Sequence, residues 1–159
     1  MSEGRRAIER ARSRLSATFK RFDAIADDQL EARADFARYL CVLLSGFLEK
    51  AIAELLLQHA RRHSGVAIQR YVRISLDRFQ NPSVGNIVSL FERFSEEWRD
   101  DLKTFLADER AAAIGSVVSE RHRIAHGESS DISYVRVARY REQIDIVIDH
   151  IADLVDPTP

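Results

Sequence analysis

Apolar residues recur along this chain at intervals of three and four, the spacing that places them on one face of a helix. Ile8, Leu15, Phe19 and Phe22 mark a first helix over about Glu3 to Phe22, with basic residues between them. Asp28 followed by Glu31 reads as a capping box opening a second, long helix. From Tyr39 to Leu48 that helix is apolar nearly all round, which predicts a central, buried element; it closes near His63-Ser64-Gly65. A third helix is predicted over Val66 to Phe79, and Asn81-Pro82 reads as an N-cap with proline in the first turn of a short helix to about Phe94. Ser95 caps a further helix whose Trp98, Leu102 and Phe105 face inward. Another covers Ala111 to Ala125 and stops at Gly127. Ser133 caps the last, to Val155, with Val137, Tyr140, Ile144, Ile148, Ile151 and Val155 as its apolar stripe. Six glycines and three prolines in 159 residues leave few helix breakers. The pattern predicts an all-α, compact bundle of about five to seven helices forming a single domain over residues 1–159.

A hydrophobic fraction of 45% excludes wholesale disorder, and the lone Cys41 excludes an internal disulfide or a thiolate-rich zinc site. The longest apolar stretch, Tyr39 to Leu48, is too short to span a bilayer, and the charged N-terminus lacks an apolar signal core. A cytoplasmic protein without a membrane partner is the expectation. The net charge of −1 lacks the simplest nucleic-acid signature, a strongly basic domain. The balance nevertheless hides a separation. Residues 1–21 hold seven basic and two acidic side chains, and residues 59–79 hold five arginines and one aspartate. Acid collects at Glu92–Glu109 and on the last helix, at Glu142, Asp145, Asp149, Asp153 and Asp156. That acidic stripe reads as solvent-facing, with a basic partner as the alternative.

The periodicity breaks in SVVSERHRIAHGESSDIS, residues 116–133. Ile114, Val117, Arg121 and Ile124 fall on one helical stripe, so Arg121 stands where an apolar residue belongs. A guanidinium there needs an ion pair, a cleft or an interface. The structural alternative is a buried salt bridge to Glu49 or Glu54 on the central helix. His122 and His126, four apart, share a face as a two-histidine metal pair would, but the local spacing suggests no third ligand. Arg121 and His126 are five apart, and five residues turn a regular helix through about 500°, so the two diverge by about 140°. They converge only where the chain leaves the helix near His126-Gly127, or where a second subunit completes the site.

The run Arg121-His122-Arg123-Ile124-Ala125-His126-Gly127 resembles the signature of the HEPN superfamily, an arginine, a polar residue and then a histidine after four to six intervening positions. Its wording is similar to a compact bacterial branch, RiboL-PSP-HEPN. The likeness extends to LLSGFLEKAI (Leu43 to Ile52) and RFQNPSVGNI (Arg78 to Ile87), and is strongest over residues 36–154. The resemblance implies a metal-independent endoribonuclease without cofactor, a homodimer whose two motifs meet in a shared cleft. RNA would be its substrate, its role would lie in defence, toxin or stress responses, and an antitoxin or defence-system partner would accompany it. The residue types suit that chemistry. Histidine titrates near neutrality and moves protons, whereas arginine stays charged and grips two phosphate oxygens. His126 is assigned to proton transfer from or to the ribose and leaving oxygens, and Arg121 to charge on the phosphorane. His122 would orient substrate or share the proton work, and Glu49 would hold Arg121.

Some members carry a tyrosine two residues after the motif histidine that a partner modifies; here the position is Glu128, so that mode of control does not transfer. Arg123, Arg136 and Arg139 are candidate contacts to an RNA backbone, and Tyr71 and Tyr134 are candidates for base stacking. Two competing readings stand beside the nuclease. One is a non-catalytic HEPN module that binds a partner protein, RNA or nucleotide. The other is an unrelated helical scaffold with a chance motif.

Overall fold

The computed structural model describes residues 2–157, which form seven α-helices and, among the described residues, no strand. They are α1 (Glu3–Lys20), α2 (Leu30–His63), α3 (Val66–Leu76), α4 (Val84–Glu92), α5 (Glu96–Phe105), α6 (Asp108–Ala125) and α7 (Tyr134–Val155), with a 3-10 turn at Arg21–Ala24 after α1. The all-α bundle predicted from the periodicity is the observed architecture.

The 34-residue α2 is the axis of the fold. Leu40, Cys41, Leu44, Leu48, Ile52 and Leu56 on it are sealed from solvent, because α1, α6 and α7 each pack along it and cover different sides. The short α3 rests on its C-terminal end, while α4 and α5 pack on each other. Cross-links between elements fix their directions. Arg38 of α2 donates to the Ser130 carbonyl ahead of α7, and Arg62 pairs with Asp156 after it, so α2 and α7 run parallel. Arg5 meets Asp153, and Arg12 meets Asp145 and Asp149, so α1 runs antiparallel to both.

Those α1 pairs correct the reading of the acidic stripe on α7. Asp145, Asp149 and Asp153 are not simply solvent-facing: their basic partner is α1 of the same chain, with Arg12 at 2.9 Å from Asp145 and 2.7 Å from Asp149. Two of the seven basic residues of 1–21, Arg5 and Arg12, are engaged in this way.

The helix ends differ from expectation where side-chain chemistry is more local than the pattern suggested. The capping box at Asp28 and Glu31 does not form; Gln29 stands at the N-cap and makes no side-chain cap hydrogen bond. Asn81-Pro82 is not the start of α4. Ser83 is its N-cap and accepts from the Asn86 N–H, while Asn81 adopts a left-handed conformation (φ 60°). In that turn the Asn81 carbonyl accepts from the Ser83 N–H and the Asn86 side-chain amide, each at 2.8 Å. Asparagine tolerates this conformation better than most residues. Helices α3 and α4 stop at Leu76 and Glu92, a few residues short of the predicted ends, and α6 begins earlier, at Asp108. Ser95 and Ser133 cap α5 and α7 as predicted.

Candidate active site

The motif occupies the last turn of α6. His126 is the C-cap, and its N–H donates to the His122 carbonyl at 3.1 Å. Gly127 follows at φ 70°, its N–H on the Ile124 carbonyl (3.1 Å) and the Glu128 N–H on the Arg123 carbonyl (2.9 Å). This pair of bonds closes the helix through a left-handed residue, a conformation that glycine alone adopts without steric cost. The following loop is held from both sides. Arg123 donates to the Ser129 carbonyl at 2.6 Å and reaches Glu120 and Glu128, while Glu120 accepts from the buried Ser130 hydroxyl at 2.6 Å. Sequence spacing placed Arg123 among the RNA contacts; its guanidinium is engaged in pinning this loop.

Arg121, His122 and His126 behave differently. All three are exposed, and none of their side chains makes a hydrogen bond or ion pair among the described residues. The expectation that Arg121 lies on a buried stripe is therefore corrected. Ile114 and Val117 are sealed and Ile124 is half-buried, but the stripe emerges from the core at Arg121. The buried salt bridge to Glu49 or Glu54 is absent, since no carboxylate lies within ion-pair distance of Arg121 among the described residues, and Glu54 instead accepts from Gln58 at 2.7 Å. The rings of His122 and His126 lie 4.3 Å apart, as their i, i+4 spacing requires. Among the described residues no three His, Cys, Asp or Glu side chains converge as a metal site.

Arg121 and His122 line a cavity of about 310 Å³ whose other walls come from two distant segments. Ser45 and Glu49 enter from α2, and Asn81 and Ser83 from the turn before α4. Glu49 is half-buried and shares this cavity with Arg121 without pairing to it. Both segments singled out for their likeness, Leu43–Ile52 and Arg78–Ile87, thus meet the arginine-histidine motif at one place. The chain matches the RiboL-PSP-HEPN family over residues 6–156. It belongs to that family. No curated protein and no solved structure shows a significant match to it. Membership in RiboL-PSP-HEPN points to a nuclease or otherwise RNA-related function.

Outside the motif, the candidate residues of this RiboL-PSP-HEPN chain divide by engagement. Arg136 is exposed and donates to the Tyr140 hydroxyl at 3.1 Å; Arg139 is exposed and unpartnered among the described residues. Tyr71 is 71% exposed on α3, whereas Tyr134 lies flat on Phe22, ring centroids 4.0 Å apart, and belongs to the packing between α7 and the 3-10 turn. Burial, with a smaller contribution from the Glu120 carboxylate, pushes the Cys41 thiol up to about 12, which leaves it protonated and inert at neutral pH. No helix is long and apolar enough to cross a membrane among the described residues. Sequence reasoning gave Ser45 and Ser83 no role at the site and read Asn81 only as a helix cap. The available signal was Ser45 inside the apolar stretch Tyr39–Leu48, with Glu49 one turn on.

Proposed function

We propose that this chain is a metal-independent endoribonuclease in which Arg121 and His126, assisted by His122, cleave RNA through the ribose 2′-hydroxyl. The carrying observation is that these three side chains are exposed and, among the described residues, uncommitted at the end of a helix, while the neighbouring Arg123 is tied to the Ser129 carbonyl and to Glu120 and Glu128. A structural role for Arg121 would require a partner, and it has none among the described residues.

In the reaction one histidine removes the 2′-hydroxyl proton as the oxygen attacks phosphorus, forming the 2′,3′-cyclic phosphate. The P–O5′ bond breaks, and the leaving 5′-oxygen takes a proton from the second histidine or from water. The Arg121 guanidinium stabilises the negative charge that gathers on the non-bridging oxygens. His126 is the principal proton-transfer group and His122, 4.3 Å from it ring to ring, shares that work or orients the ribose. Arg136 and Arg139, on the first turns of α7, contact the flanking phosphates.

Helix α6 is regular through Ala125, so Arg121 and His126 of one copy leave it in different directions. This supports a site shared by two copies, the Arg121 of one beside the His126 of the other. A toxin or defence role fits such an activity. The test is cleavage of a mixed-sequence RNA by the wild type and by Arg121→Ala and His126→Ala. Each variant loses activity by at least about a hundredfold with an unchanged melting temperature, and the wild-type rate is insensitive to chelator.

A further inference from the structure

We infer that the cavity beside Arg121, between α2, α6 and the turn before α4, is a nucleobase subsite that selects guanine next to the scissile phosphate. The inference rests on the nuclease reading of the neighbouring motif, but its groups define it independently. Ser45 is only 4% exposed, and its hydroxyl has no hydrogen-bond partner among the described residues. No fully sealed polar side-chain atom among the described residues lacks a partner. The Ser45 hydroxyl therefore meets the open space of the cavity it lines. Half-buried Glu49, one turn further along α2, also lacks a hydrogen bond or ion pair among the described residues. Both groups face the cavity and keep their hydrogen-bonding capacity for what enters it.

The chemistry of the wall restricts what can enter. A carboxylate only accepts hydrogen bonds, and both of its oxygens are satisfied by two adjacent N–H donors. Guanine presents such a pair, N1–H and the N2 amino group, on one edge. Adenine and cytosine place a ring-nitrogen lone pair beside their amino group, and uracil flanks its single N–H with two carbonyls, so each would set a lone pair against Glu49. Asn81, on the opposite segment, carries an amide that can donate to the guanine O6, and the Ser45 hydroxyl can donate or accept. The volume of about 310 Å³ is at the small end of ligand sites, which run from roughly 300 to 1,000 Å³, and leaves room for one base. With the base held there, the ribose and its 3′-phosphate emerge towards Arg121 and His122 on the rim.

The experiment is titration of the full chain with the four nucleoside 3′-monophosphates, followed by NMR or calorimetry. Guanosine 3′-monophosphate should bind at least about tenfold more tightly than the other three, the usual worth of a hydrogen bond to a charged group. Glu49→Gln, which turns one acceptor into a donor at constant shape, should erase that preference, and Ser45→Ala should reduce it. Equal affinities for the four nucleotides, absence of binding, or a guanine preference that survives Glu49→Gln would overturn the subsite. Indiscriminate binding by a chain that still cuts RNA through Arg121 and His126 removes the subsite and leaves the nuclease. Selective guanosine 3′-monophosphate binding, lost in Glu49→Gln, by a chain that cuts no RNA does the reverse.

Discussion

Gly127 shows how a single residue holds the motif in place. Its backbone sits at φ 70°, and a Cβ built there would meet nothing within 4 Å, so the cost of a side chain is conformational and not steric crowding by neighbours. Gly127→Ala should therefore destabilise the protein by about 1–2 kcal/mol, read as a lower melting temperature, and Gly127→Asn by less. Arg121 illustrates what residue-level sequence reading can and cannot reach. The break in the apolar stripe singled out Arg121, because a charge at such a spacing needs a reason. It did not reveal the environment, because periodicity gives an angle around the helix axis and says nothing of where the covering elements end. The core reaches Val117 and gives way to open surface at Arg121. Glu49 was read from the sequence only as a partner for Arg121, and Ser45 only as a polar interruption of the apolar stretch; their meeting with Asn81 and Ser83 depends on how α2 and α4 pack around α6, which no local pattern encodes.

Helices, by contrast, were largely readable, because six glycines and three prolines leave the serine caps and the 3.6-residue period to act unopposed. Errors fell at the ends, where one side chain decides the geometry. At α4 the first available oxygen in the right register belongs to Ser83, and Asn81 is spent on the turn before it. Ser133→Ala removes the acceptor that holds the Arg136 N–H at the start of α7 and should cost about 1 kcal/mol. The joint between α1 and α7 carries a larger expectation. Arg12 is 19% exposed and binds Glu9, Asp145 and Asp149 together. Truncation of Arg12 to alanine should lower stability by about 1–2 kcal/mol and leave RNA cleavage intact; the loss should shrink at high salt if the network is mainly electrostatic. A denaturant midpoint measured at low and high ionic strength checks both parts.

For the molecule as a whole, the near-neutral charge sum conceals a local neutralisation, in which Arg5 and Arg12 of α1 are bound to Asp145, Asp149 and Asp153 of α7. What remains unpaired among the described residues is more informative than the total, and it includes Arg121, Arg139 and the motif histidines. Stability should also depend on pH through His59. Burial, then the neighbouring His63, lowers its affinity for a proton in the folded chain. The unfolded chain takes up that proton at higher pH, so stability is complete above the ordinary histidine value of about 6.5 and falls as pH drops below it. The melting temperature should decline between about pH 7.5 and about pH 5.5, and His59→Gln should flatten that decline. If the site is shared by two copies, an equimolar mixture of Arg121→Ala and His126→Ala chains should recover about a quarter of wild-type cleavage. Half the dimers would then carry one intact arginine-histidine pair out of two. A site confined to one chain would leave the mixture inactive.

The most direct measurement is RNA cleavage in chelator by the wild type, Arg121→Ala and His126→Ala, each first shown to melt at the same temperature. Cleavage by the wild type with 2′,3′-cyclic phosphate ends, and its loss in both folded variants, is the predicted result. Cleavage that persists in both variants, or a folded wild-type chain that leaves RNA intact, would contradict it.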